Sequence, residues 1–284
     1  MKLNAITELQ TLNDRYSSSE RTGKAHILLI GEKGVGKTSI AETCPGPVLV
    51  HSFDPDGTSV LADGIKSEKV FVDTQFERDD YRNPTAYKAW EAEFNRLGQG
   101  GVFDQIGTYF FDGLTMFADA ALHQLMAGEG RILPGMMTKT NQEQQGMRIQ
   151  DWGKLANCLQ NCFQRIINLP CHSVVIGHYE RSHDKDMARM IRSLLLPGKA
   201  APAKIPKIAP ELWVLVRKAA GFNSQSERYL LTQAEDEYFD ATTRLGYKGR
   251  LNAHEPPDIQ AILKKVGYDW EDITLEESKE KKES

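Results

Sequence analysis

No stretch of this chain stays apolar for the roughly 18 or more residues that a membrane-spanning helix requires, and no charged-then-apolar signal segment opens it. No membrane partner is expected, and a cytoplasmic setting is. Cysteine is scarce, with Cys44, Cys158, Cys162 and Cys171 as the whole complement in 284 residues. So few thiols read as reduced side chains rather than a disulfide framework. Cys158 and Cys162 fall four apart on one helix face, as two packed core thiols would. Cys171-His172 supplies no second C-x-x-C, so no zinc site is expected. Aromatic residues make up only 8% of the chain, and few fall in its polar loops, which argues against base-specific stacking on nucleic acid. What is present is ordinary for a globular chain with a sizeable core: 40% hydrophobic and 26% charged residues. That length suits one large α/β domain, alone or with a small appendage.

The net charge of −4 hides an uneven distribution. From Arg181 to Lys218 nine Lys and Arg stand against three acids, a local +6, whereas Tyr268–Ser284 carries seven acids against three lysines, a local −4. A basic segment inside an acidic chain suits a polyanion partner; incidental lysines on a solvated loop are the equal alternative.

Residues Gly31, Glu32, Lys33, Gly34, Val35, Gly36, Lys37 and Thr38, followed by Ser39, match the phosphate-cradling pattern G-x-x-x-x-G-K-[ST]. An apolar run, Ile27–Ile30, precedes it as a buried parallel strand, and Thr38–Thr43 follows as the first turns of a helix stopped by Pro45 and Gly46. Strand, loop and helix in that order aim successive backbone N–H groups at one anion. Lys37 then reaches the β- and γ-phosphates of ATP, and the Thr38 hydroxyl holds Mg²⁺. A second phosphate-site motif is expected downstream. Thr108-Tyr109-Phe110-Phe111-Asp112, an apolar run closed by one carboxylate, fits it, with Asp112 holding Mg²⁺ through water from an adjoining strand edge.

Further strands are expected at 48–53, 69–73, 173–177 (ending in His178-Tyr179-Glu180), 212–216 and 228–232. Helices are expected at 84–97, from 114 through 126, at 150–169 and at 257–265. Alternating strands and helices with apolar strands predict a mostly parallel sheet covered on both faces. Residues 1–24 read as an N-terminal arm, 25–267 as the folded domain and 268–284 as a disordered acidic tail. Residues 127–148, rich in Gly and Gln, read as a functional or disordered loop. Prolines 197, 202, 206 and 210 predict a loop or hairpin, not a helix, through the basic segment.

Hydrolysis also needs a water-polarising carboxylate, and Asp54, Asp56, Asp73 and Glu77 compete for that post. His178 ends a central strand at the same edge, either sensing the γ-phosphate or serving as a hydrogen-bonded core-edge histidine. Arg244, Lys248 and Arg250 form a basic cluster, either a trans-acting cation source or an ordinary turn.

These motifs in this order include Asp54-Pro55-Asp56-Gly57, Tyr109–Thr115, Val174–Glu180, Tyr229–Thr232, Thr242-Thr243-Arg244 and an end helix at 257–263. Together the chain resembles, over roughly residues 25–265, the phage-encoded RecA-like P-loop ATPases that include single-strand-annealing recombination proteins. The resemblance implies an α/β RecA-like P-loop NTPase with helices on both faces of the sheet. It implies a DNA-stimulated ATPase with ATP and Mg²⁺ bound, and catalytic roles for Lys37, Asp56, His178 and Arg244. Asp56 stands where that family carries Glu, and Thr242 stands where it carries Lys. Single-stranded DNA follows as partner through loops 127–148 and 181–207, with ring or filament assembly, a single-strand-binding protein as helper, and the host cytoplasm as setting. A nucleotide-switched binding or assembly protein with negligible turnover is the alternative, and a small-molecule kinase a third.

Overall fold

The computed structural model describes residues 5–17, 23–128, 147–184, 189–218, 227–235 and 241–268. Its strands are β1 (His26–Gly31), β2 (Val48–Ser52), β3 (Val70–Asp73), β4 (Thr108–Asp112), β5 (His172–Asp184), β6 (Arg189–Leu194), β7 (Glu211–Arg217), β8 (Arg228–Leu231) and β9 (His254–Glu255). They form one sheet in the order β3-β2-β4-β5-β1-β7-β8-β9, with β6 paired to β5. The six strands from β3 to β7 in that order are parallel, and β6, β8 and β9 add on antiparallel. This is the mostly parallel α/β architecture that the sequence predicts.

The helices are α1 (Ala5–Ser17), α2 (Ala62–Lys66), α3 (Ala86–Gln99), α4 (Leu114–Gly128), α5 (Ile149–Ile166), α6 (Ala200–Ile208) and α7 (Ile259–Lys265). Strand side chains alternate between two cores, as the two-residue period of a strand demands. Leu28 and Ile30 of β1 join Tyr109, Phe111, Val175 and Val214 under α3, α4 and α5. Ile27 and Leu29 join Phe110, Val174, Ile176 and Trp213 on the other face, with Ile40 and α7. The unbroken apolar run of β1 is thus explained by burial on both sides.

The α3 stripe meets the sheet as its spacing predicts. Trp90, Phe94 and Leu97 are buried, and the Trp90 ring lies 4.9 Å from Phe117 and 5.1 Å from Phe94 between centroids. The Trp90 indole N–H donates to the Tyr109 hydroxyl at 3.0 Å, which meets His51 Nδ1 at 2.9 Å. A buried indole with a satisfied N–H is a strong anchor.

Several expectations need correction. Thr38–Thr43 forms a 3₁₀ helix, not an α-helix, closed by the Cys44 N–H on the Ala41 carbonyl. The Asp112 strand does not adjoin the P-loop strand, because β5 pairs with β1 on one side and β4 on the other. β5 runs on past His178 to Asp184 and folds back as the β5–β6 hairpin, so that part of the hairpin expectation holds. Residues 200–208 are helical despite their prolines. Pro202 sits in the first turn, where no intrahelical acceptor waits for an N–H, while Pro206 costs one hydrogen bond that burial of Ala201 and Ile205 outweighs. Most of the 127–148 loop (129–146), the tail from 269 and Lys185 lie outside the described residues.

Replacing Trp90 with Ala should lower the unfolding free energy by about 3–5 kcal/mol, through cavity formation and loss of the hydrogen bond to the Tyr109 hydroxyl. Denaturant titration of the two proteins side by side checks this.

Candidate active site

The site is assembled at the carboxyl edge of the sheet, where β1 and β4 end and β5 passes between them. The loop after β1 reverses through Gly34 and Gly36, whose φ values of 72° and 96° belong to the left-handed region that side chains resist. Lys37 is buried at 6% exposure. Its ammonium donates to the carbonyls of Gly31 at 2.9 Å and Glu32 at 2.8 Å, and to His178 Nδ1 at 3.2 Å. Burial pulls its pKa down to about 8, against the opposing pull of Asp112, Asp54 and Glu32.

Asp112 is 1% exposed, and burial lifts its carboxyl to about 6. A hydrogen bond from the Thr38 side chain and the charge of Lys37 pull the other way, while Asp54 and Glu77 push with the burial. Asp112 Oδ2 has no hydrogen-bond partner. A buried, orphaned carboxylate oxygen beside a hydroxyl suits a hard cation with oxygen ligands, so these residues fit Mg²⁺. Among the described residues no cluster of three or more His, Cys, Asp and Glu could hold a metal alone. Ligands from a phosphate chain and water would complete the set.

His178 lies opposite Gly31 in the β1–β5 ladder. Its backbone N–H donates to Thr115 Oγ1 at 3.3 Å, and that hydroxyl donates to the Leu195 carbonyl at 3.0 Å. Its pKa is lowered by burial and then by Lys37. A neutral imidazole accepting from an ammonium is the consistent arrangement.

The competing acids separate. Asp54 and Glu77 both act on the Asp112 carboxyl, and Glu77 Oε1 is buried without a hydrogen-bond partner. Asp56 is exposed, with φ 57°, and only its backbone N–H reaches the group, 3.5 Å from Glu77 Oε2. Asp73 is tied to its own turn through the Gln75 backbone N–H at 3.1 Å. Arg244 lies far from Lys37 in the same chain. Its backbone N–H caps Glu211, which pairs with Ile27 at the opposite end of β1 and β7. Cys158 and Cys162 pack against the Tyr87 hydroxyl, at 3.2 and 3.8 Å.

One feature escaped sequence reading. Glu32 Oε1 accepts from Arg181 at 3.0 Å and Arg192 at 3.3 Å, both from the β5–β6 hairpin, and Arg192 also bonds the Tyr179 hydroxyl. Glu77, one of the four competing acids, is returned to Asp112 by the chain from beyond β3.

A glycine-turned loop, a buried lysine and a buried aspartate at one sheet edge define a P-loop nucleotide-binding protein of the ATPase class. Residues 23–245 match the family described as AAA domain, and the chain belongs to that family. Among solved structures it is similar to a KaiC-like protein from Pyrococcus horikoshii OT3, at 11% identity and a TM-score of 0.40, covering 73% of this chain and 78% of that one. It is also similar to the flagellar accessory protein FlaH from Methanocaldococcus jannaschii, at 12% identity and 0.38, covering 78% and 81%. At such TM-scores the likeness carries no functional weight. No curated protein matches the chain.

Because the folded state holds the Asp112 proton up to about pH 6, its contribution to stability is present below the unfolded value and lost as pH rises through 6. Without nucleotide, the melting temperature of wild type relative to Asp112→Asn should fall between about pH 4 and 6. Mg²⁺-nucleotide affinity should rise over the same window, and Asp112→Asn should flatten it; calorimetric titration across pH reads both.

Proposed function

We propose that this protein hydrolyses ATP and uses the nucleotide state to control binding of single-stranded DNA. Bound Mg²⁺ would neutralise phosphate charge, and Thr38 and Asp112 are the residues that would hold it. Lys37 then exchanges its two carbonyl partners for phosphate oxygens, while His178 reports that exchange from the neighbouring strand. Glu77 and Asp54 are better placed than Asp56 to orient an attacking water, since both already act on Asp112. The exposed Asp56 favours the alternative of a nucleotide switch with negligible turnover if neither of those acids serves.

The observation that carries the DNA reading is the shared Glu32. One P-loop carboxylate neutralises two hairpin arginines, so a rearrangement of the loop releases or recaptures cations that a phosphate backbone would bind. With little aromatic surface available, such binding is tolerant of sequence. Assembly into a ring or filament would set the exposed Arg244 against another copy's site, and a single-strand-binding protein remains a proposed helper.

Phosphate release should rise several-fold with single-stranded DNA at about 50 mM salt and lose that stimulation at about 200 mM. Lys37→Ala should abolish nucleotide binding and turnover. Glu32→Gln should keep ATP binding while narrowing the affinity ratio for DNA with and without ATP, a coupling of order 5–150-fold. Release indifferent to DNA at both salts would leave the switch or kinase readings instead.

A further inference from the structure

Two guanidinium groups lie against the P-loop and take no part in the scheme above. Arg217 ends β7 and Arg228 opens β8, directly opposite one another in the antiparallel ladder. β7 sets Leu215 beside Gly31, and two residues on, Arg217 Nη2 donates to the Gly34 carbonyl at 2.6 Å. Arg228 Nη1 lies 3.5 Å from Ser39 Oγ and packs so closely on Gly36 that a Cβ there would collide with it. Both side chains therefore fall on the sheet face that carries the 3₁₀ helix.

Like charges placed directly opposite across an antiparallel pair are destabilising. Here the two guanidiniums meet only a carbonyl and a hydroxyl, and among the described residues neither pairs with a carboxylate. A bound anion would relieve that repulsion, and the adjoining loop is shaped for a phosphate chain. Glycine at 36 serves two ends: it permits φ of 96° and leaves room for the guanidinium plane.

We propose that Arg228 is a nucleotide-binding residue, reaching the phosphate chain from the Gly36–Ser39 end of the loop. Arg217 is a positioning residue that holds the crest of the loop through Gly34. The pair supplies positive charge from within the same chain, so tight binding of nucleoside di- and triphosphates needs no neighbouring copy. This rests on the nucleotide reading above.

The test is the dissociation constant for ATP, ADP and inorganic tripolyphosphate, measured by calorimetric titration at two salt concentrations. Arg228→Lys, Arg228→Gln and Arg228→Glu form a charge series at an exposed position, and thermal melts confirm that each is folded. ATP affinity should fall in the order wild type, Lys, Gln, Glu, with Arg228→Gln weakened roughly ten- to a hundredfold and showing a shallower salt dependence. Arg217→Gln should weaken ATP less and leave the salt dependence unchanged, because Arg217 touches the loop and not the ligand. If wild type binds ATP, Lys37→Ala does not, and the Arg228 series binds like wild type, the guanidinium proposal falls alone. If wild type binds none of the three ligands, the nucleotide reading itself falls.

Discussion

A lysine ammonium and an aspartate carboxylate, both buried at one sheet edge, impose the constraint on which the rest of this structure depends. Taking either charge out of water is costly unless it is hydrogen-bonded or paired. Lys37 meets that condition through two loop carbonyls and His178. Asp112 meets it only in part, through Thr38 and the field of Lys37, and one oxygen stays unsatisfied. The asymmetry suits the binding of a cation better than a structural ion pair. It also explains why β1, β4 and β5 come together here, since no single element carries Lys37, Thr38, His178 and Asp112.

The sheet order serves that convergence. With β5 between β1 and β4, the imidazole of His178 stands between the loop that holds phosphate and the strand that carries Asp112. The central strands have no solvent face, so their apolar runs anchor the polar edge in a rigid frame. Helices α3, α4 and α5 close one face with an aromatic nest around Trp90, and the 3₁₀ helix and α7 close the other.

Much of this was legible in residue order. The P-loop, the strand ending in Asp112 and the strand carrying His178 are local patterns, and local patterns survive folding, although β5 runs on well past His178. The α3 stripe was readable because Trp90, Phe94 and Leu97 follow the helical period. What escaped reading was relational. Glu32, Arg181 and Arg192 are separated by up to 160 positions, and nothing local distinguishes them from other surface charges. The choice among Asp54, Asp56, Asp73 and Glu77 turned on backbone direction: Asp56 occupies a left-handed turn that faces it outward. The α6 prolines misled because Pro202 falls in the first turn, where it costs nothing, and the burial of Ala201 and Ile205 carries the helix past Pro206.

The length of β5 has a mechanical consequence. Thirteen residues of continuous strand, at about 3.3 Å each, make a beam of roughly 40 Å whose inner half is clamped between two neighbours and whose outer half projects as a hairpin. A clamped beam turns small tilts at its root into larger sweeps at its tip. A shift of a few tenths of an ångström where the imidazole meets the ammonium would thereby be enlarged at the far end, with no helix needed to relay it.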